Sequence, residues 1–274
     1  MPSSPPVILT IAGSDSCAGA GLQADLKAIT ANGGYGICAV TAIVSEVPHV
    51  VSRVQIVEPE ILADQLSILS GNYPIAAIKT GMLANSELSR ITADFLEAQV
   101  TNRISLVVDP VMVATSGDRL LDDAAVEIYR QRILPLASIA TPNLAEAGTL
   151  LDRKIESEKD MTEAAADFVA AFGCATLLKG GHLSEDQDAI DIFASNEETV
   201  RLTAPRIPGI DAHGTGCTLS AAIATLLGDG QTFSDSVRIA KNYISAAIEQ
   251  AHHWRELADI RALNHQPDGL HSQT

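Results

Sequence analysis

Apolar runs of three to eight residues alternate along the chain with longer stretches in which apolar positions recur every three or four residues. The runs predict strands at 7–12, 37–44, 76–79, 105–108, 138–140 and 175–178. The periodic stretches predict helices at 22–29, 59–69, 86–99, 122–134 and 161–172, with another carrying Glu146. Asn32-Gly33-Gly34 closes the first helix, and Ser86 is placed as the N-cap of the third. Two alternating stretches, 189–193 and 199–202, predict a hairpin across Ser195-Asn196. Helices over 219–227 and about 234–257 finish the chain. Residues 1–6 and about 262–274 read as polar, loosely held tails.

Strands alternating with helices predict an α/β fold, a mostly parallel central sheet with helices on both faces. With no internal repeat or linker, residues 1–274 read as a single domain. In such sheets ligands bind at the carboxyl ends of the strands. Asp15, Glu46, Lys79, Asp109, Asn143 and Lys179 each stand at a predicted strand end, which points to one shared site.

Composition narrows the partners. The 274 residues carry 34 acidic and 18 basic side chains, a formal charge of -16, so nucleic acid and anionic membrane are excluded as expected partners. Cys17, Cys38, Cys174 and Cys217 form no Cys-x-x-Cys pair, which argues against a zinc site or a disulfide framework. The first residues have neither the basic nor the apolar stretch of a signal peptide, and no apolar run reaches membrane-spanning length. A cytoplasmic protein is expected. Gly19-Ala20-Gly21 lacks the third glycine of a dinucleotide fingerprint.

The stretch His213-Gly-Thr-Gly-Cys-Thr218, opening onto an apolar helical run, has the wiring of an anion hole. Glycines let successive N–H groups turn inward, and the helix N-terminus adds partial positive charge. A phosphate suits such a pocket. The same field is expected to favour the thiolate of Cys217.

These blocks together resemble the hydroxymethylpyrimidine/phosphomethylpyrimidine kinases of thiamine biosynthesis, within the ribokinase-like superfamily. The resemblance rests on Thr10-Ile-Ala-Gly-Ser-Asp15, Gly19-Ala-Gly-Leu-Gln-Ala-Asp-Leu-Lys27, Lys79-Thr-Gly-Met-Leu83, Asp109-Pro-Val-Met112, Ser116-Gly-Asp118, Thr141-Pro-Asn143, Lys179-Gly-Gly-His182 and His213-Gly-Thr-Gly-Cys-Thr218. It implies a three-layer sandwich and a magnesium- and ATP-dependent kinase, commonly a homodimer. By this resemblance Gly214, Thr215 and Gly216 form the anion hole, and Cys217 stands where the superfamily's sugar kinases carry a catalytic aspartate. Asp109, Asn143, Lys179 and Thr215 would face ATP, and Asp109 and Glu146 would hold the metal, often through water. Gly13, Asp15, Asp25, Val44, Glu46, Met82 and Val111 would line the acceptor pocket. Helix capping for Asn143 and a solvated face for Glu146 are the plain structural alternatives.

The acceptor pocket departs from the resemblance. These kinases typically carry a glutamine where Glu46 stands. A carboxylate only accepts hydrogen bonds unless it is protonated, so Glu46 either binds the pyrimidine in another protonation state or points to a different ring. A vitamin B6 kinase, for pyridoxine or pyridoxal, is therefore the alternative. Ala114 stands where pyridoxal kinases of this kind place an aldehyde-capturing cysteine, and Thr115 where the pyrimidine kinases usually have lysine. Lys27, Lys79 and His182 are candidate substitutes for that lysine. A non-catalytic ligand-binding module of the same fold is the reading from another class.

Overall fold

The computed structural model describes residues 4–48, 50–99, 104–112, 122–181, 188–207, 213–256 and 260–269. In chain order these form β1 (Val7–Asp15), α1 (Gly21–Ala31), β2 (Tyr35–Val47), β3 (Val50–Ile56), α2 (Pro59–Asn72), β4 (Ile75–Thr80), α3 (Ser86–Gln99) and β5 (Ser105–Val108). Then come α4 (Asp123–Ile128), β6 (Ile139–Ala140), α5 (Leu144–Leu151), α6 (Glu158–Phe172), β7 (Ala175–Lys179), β8 (Ala189–Ala194) and β9 (Thr199–Ala204). The last elements are α7 (Thr215–Gly228), α8 (Phe233–Glu249), β10 (His252–Trp254) and β11 (Ile260–Ala262).

Strands β1 to β9 build one sheet in the order β3-β2-β1-β4-β5-β6-β7-β8-β9. The six strands from β2 through β7 in that order run parallel; β3 and β8 run against them, and β9 pairs antiparallel with β8. Alternation along each strand divides the core. Ile8, Ala77 and Val107 face α1, α7 and α8 on one side of the sheet. Leu9, Ile78 and Leu106 face α2, α3 and α4 on the other, and α6 packs there against Leu178 and Ile192. The expected mostly parallel sheet with helices on both faces is the observed one.

Four local expectations are corrected. The edge strand β3 was not foreseen, because almost every one of its side chains is exposed and it lacks a buried face to give a period-two signal. The cap of α3 is Asn85, whose Oδ1 accepts the Leu88 N–H at 2.8 Å, and Ser86 is the first helical residue. The helix expected over 122–134 stops being regular at Ile128, where Asp122 has capped its start and a π turn (Tyr129–Ile133) follows. Finally, α8 ends at Glu249, well short of residue 257. The Asn264 N–H takes the Ala247 carbonyl, which a continuing helix would need, and β10 pairs back with β11. The tail is therefore pinned as far as it is described: Leu263 and His265 are buried, and Tyr243 Oη donates to the His265 carbonyl at 2.9 Å.

Candidate active site

The six parallel strands deliver their polar ends to one edge of the sheet. Chain connections leave β1 and β4 toward opposite sides, so the crevice at the carboxyl end opens between them. Asp109 follows β5, its N–H bonded to the Thr80 carbonyl, and Asn143 pairs with Lys179 beyond the end of β6.

The N-terminus of α7 faces this edge. Gly214 caps it at φ 86, and a Cβ there would stand 1.8 Å from the Gly19 carbonyl oxygen, so both the dihedral and the space require glycine. A Cβ on Gly216 would lie 3.0 Å from Lys179 Nζ and 3.5 Å from Asp109 Oδ2. The first turn of α7 thus meets a cation and a carboxylate at van der Waals range. Lys179 Nζ donates to Asp109 Oδ1 at 3.0 Å, and the hydroxyls of Thr141 and Ser220 donate to the same carboxylate, each at 3.3 Å. Burial works against the Lys179 charge, but Asp109 and Glu146 outweigh it and push the ammonium pKa up.

Asn143 and Glu146 form a capping box at the start of α5. Glu146 N–H donates to Asn143 Oδ1 at 2.9 Å, and Asn143 N–H to Glu146 Oε2 at 2.7 Å. The structural alternative for Asn143 is thus realised, whereas a solvated Glu146 is not, since the side chain is buried. Burial raises its carboxyl to about 7, with Asp109 adding to the shift and Lys179 opposing it. Two buried carboxylates, Asp109 and Glu146, beside the N-terminus of α7 are hard oxygen donors of the kind magnesium takes. Because the capping box engages Glu146, it suits contact through water better than direct ligation.

Cys217 lies in the first turn of α7, partly buried. Its sulfur takes a hydrogen bond from the Gly21 backbone at the start of α1. The expected thiolate is corrected here. Burial pushes the thiol up to about 11; Lys79 and the Gly21 N–H oppose the rise, and the Asp25 and Asp109 carboxylates add to it. Beneath it, Lys79 Nζ bonds both oxygens of Asp25 at 2.9 Å, with Thr10 Oγ1 on the same carboxylate at 2.5 Å. Lys79 and Asp25 are wholly buried, so Asp25 serves the floor of the site rather than its open face.

Asp15 turns inward as well. It accepts the N–H groups of Cys17, Gly19 and Ala20, the Cys17 thiol, and a contact from His213 Nε2 at 3.3 Å. Burial alone would raise this carboxyl, but those bonds hold it well below the usual carboxylate range. It folds the loop that it belongs to. Glu46 sits next to it, partly exposed; burial raises its carboxyl, Asp15 adds to the rise and His213 opposes it. Ser16 Oγ ties this loop to the end of β2, bonding both the N–H and the carbonyl of Glu46 at 2.8 Å. Met82 covers Gly13, where a Cβ would come within 2.4 Å of its methyl group. Val44 is buried on β2, and Val111 is partly exposed beyond β5. Ala114, Thr115, Ser116, Asp118 and His182 lie outside the described residues.

One supporting pair went unread in the sequence. Asp191 on β8 accepts the Gly180 N–H at 3.0 Å and the Lys241 ammonium at 2.6 Å, fixing the turn that follows Lys179. The signal was available: Lys241 sits among Val237, Ala240 and Ile244 on the buried stripe of α8.

The family model described as phosphomethylpyrimidine kinase matches residues 15–259. The hydroxymethylpyrimidine/phosphomethylpyrimidine kinase of Escherichia coli K12 is 43% identical over 246 residues, covering 89% of this chain and 91% of that one. The chain spans about half the length of bifunctional thiamine-biosynthesis relatives from Geobacter sulfurreducens and Arabidopsis thaliana, at 49% and 47% of each. Among solved structures, a Staphylococcus aureus pyridoxal kinase bound to pyridoxal superposes with TM-score 0.85 at 32% identity, covering 97% of this chain and 95% of that one. A Clostridium difficile phosphomethylpyrimidine kinase gives TM-score 0.77 at 35% identity over 89% and 99%. No helix among the described residues is long and apolar enough to cross a membrane.

Proposed function

Because the chain belongs to the phosphomethylpyrimidine kinase family, we propose that it phosphorylates 4-amino-5-hydroxymethyl-2-methylpyrimidine with ATP, and then phosphorylates the resulting monophosphate. The observation that carries this reading is the meeting of the α7 N-terminus with Lys179 and Asp109 around Gly216.

Phosphoryl transfer asks mainly for positioning and for neutralisation of charge on the moving group. The N–H groups of Gly214, Thr215 and Gly216 would hold its equatorial oxygens, with the α7 dipole behind them. Lys179 supplies a point charge whose place is set by Asp109 and, through the Gly180 turn, by Asp191 and Lys241. Asp109, and Glu146 through water, would hold magnesium, which would supply charge neutralisation at the phosphates.

The acceptor hydroxyl approaches from the β1–β4 crevice. Cys217 is a thiol there, so it orients the hydroxyl by hydrogen bonding instead of taking its proton beforehand. A loose transition state tolerates this, because the proton can leave late. When protonated, the form that burial and Asp15 favour, Glu46 presents an O–H donor and a C=O acceptor together. That pair of groups imitates a glutamine amide, and it suits an aminopyrimidine edge.

The test is ADP release with magnesium-ATP and three acceptors in parallel: the hydroxymethylpyrimidine, its monophosphate and pyridoxine. Turnover of the first two is expected. Preference for pyridoxine would replace this reading with a vitamin B6 kinase, and ATP binding with silence on all three would leave the non-catalytic module.

A further inference from the structure

A cavity of about 640 Å³ lies behind the site described above, sharing Cys17, Gly19 and His213 with its Asp15 loop and reaching between α1 and the tail that follows α8. Its volume is in the ordinary range for small-ligand pockets, about 300–1,000 Å³. The chain carries a net charge of -16, yet no carboxylate lines this cavity among the described residues. Its charged and titratable lining consists of Lys27, Arg261, His213, His252 and His265, beside Cys17. Lys27 Nζ donates to the Ala18 carbonyl at 2.7 Å, which leaves further N–H groups of that ammonium for another acceptor. Trp254, the chain's single tryptophan, stands 57% exposed at the wall, with the His252 ring 5.7 Å away. A large ring left this open beside cations is unusual for a core-forming residue and suited to stacking.

The far wall comes from the tail. Arg261 and His265 lie beyond residue 259, where the family match ends, so this chain closes the cavity with a segment outside the matched region. That segment is built in: the His265 ring meets Thr218 Oγ1 at 3.1 Å, one residue from Cys217.

We propose that this cavity is a second ligand site, which takes a small phosphorylated planar heterocycle. Its phosphate would sit between Lys27 and Arg261, and its ring against Trp254. Such a ligand could be the enzyme's own phosphorylated pyrimidine or a phosphorylated heterocycle from elsewhere; the shared chemistry is the anion joined to the ring.

Trp254 makes the test site-specific. Its fluorescence would be titrated in the full-length protein, without ATP, using hydroxymethylpyrimidine monophosphate, uridine monophosphate, uridine and inorganic phosphate. A saturable change is expected with a phosphorylated heterocycle, at least ten-fold tighter than with uridine or phosphate alone. Response to the pyrimidine product only would assign the site to the enzyme's own product, and response to uridine monophosphate only would assign it to an outside ligand. Arg261→Met should weaken binding at least ten-fold with an unchanged melting temperature, and Lys27→Gln serves if that variant fails to fold. Lys179→Met, altered in the active site, should bind as the parent does. No saturable change with either phosphorylated probe overturns the proposal. So does binding that survives both cavity variants, or that disappears in Lys179→Met. None of these readings requires turnover, so they stand or fall apart from the proposed activity.

Discussion

The Lys79 ammonium lies 2.9 Å from both carboxylate oxygens of Asp25, and neither side chain is exposed. Burial opposes the lysine's charge, yet Asp25, with Cys217 and Asp109 adding to it, pushes the ammonium pKa up. Removing one partner strands the other away from water, a cost of about 3–5 kcal/mol, whereas removing both together costs much less. Lys79→Met should therefore unfold at clearly lower urea, and adding Asp25→Asn should recover part of the loss. Strictly additive costs in the double variant would show that the pair is not coupled.

Cys217 and Cys17 both carry thiols raised to about 11, and Cys174 is raised to about 12. The thiolate is the reactive form, so iodoacetamide should label these positions slowly at pH 7.5 and faster as pH climbs toward 11. Peptide mass spectrometry reads each site separately. Rapid labelling of Cys217 at neutral pH would restore the pre-formed thiolate base. The same argument separates two substitutions. Cys217→Ser keeps a group able to donate and accept hydrogen bonds and should retain far more activity than Cys217→Ala.

Glu46 has its carboxyl raised, chiefly by burial and then by Asp15. As pH rises through that raised pKa, the side chain loses its O–H donor and keeps only acceptors. The KM for the pyrimidine acceptor should climb with pH accordingly. In Glu46→Gln the amide keeps its donor at every pH, so the KM should stay flat across the same range. Parallel pH profiles of KM in the two proteins would remove Glu46 from ring recognition.

The strand ends were legible because six apolar runs each finish on a polar residue, and topology then places all six along one edge. The Gly214–Cys217 turn was legible for a similar reason: glycine where the backbone needs φ 86 and close approach leaves a mark in the sequence. Charge states were not legible. The field of one helix end argued for a Cys217 thiolate, but burial with Asp25 and Asp109 nearby decides otherwise, and both carboxylates come from distant stretches of chain. Asp15 reads as a binding group until the loop is seen to close around it. The tail reads as polar and loose, because nothing local shows that Asn264 will cap α8.

His265 carries the last prediction. Its ring is 7% exposed, meets Thr218 Oγ1 at 3.1 Å, and faces Lys27 and His252. Burial lowers its pKa to about 4, and Lys27 adds to the shift. An unfolded chain holds the same proton near a pKa of about 6.5. The unfolded state therefore binds the proton more tightly, and stability rises with pH across the interval between the two values. The contribution is complete above the unfolded pKa and disappears as pH falls through the folded one. The difference amounts to about 3 kcal/mol over that window. His265→Gln keeps an amide able to meet Thr218 but cannot titrate. Urea unfolding at pH 7 and pH 4.5 should show the parent losing about 2–3 kcal/mol more than the variant between the two conditions. Equal losses would mean that the tail opens and hydrates its histidine before the rest of the fold responds to acid.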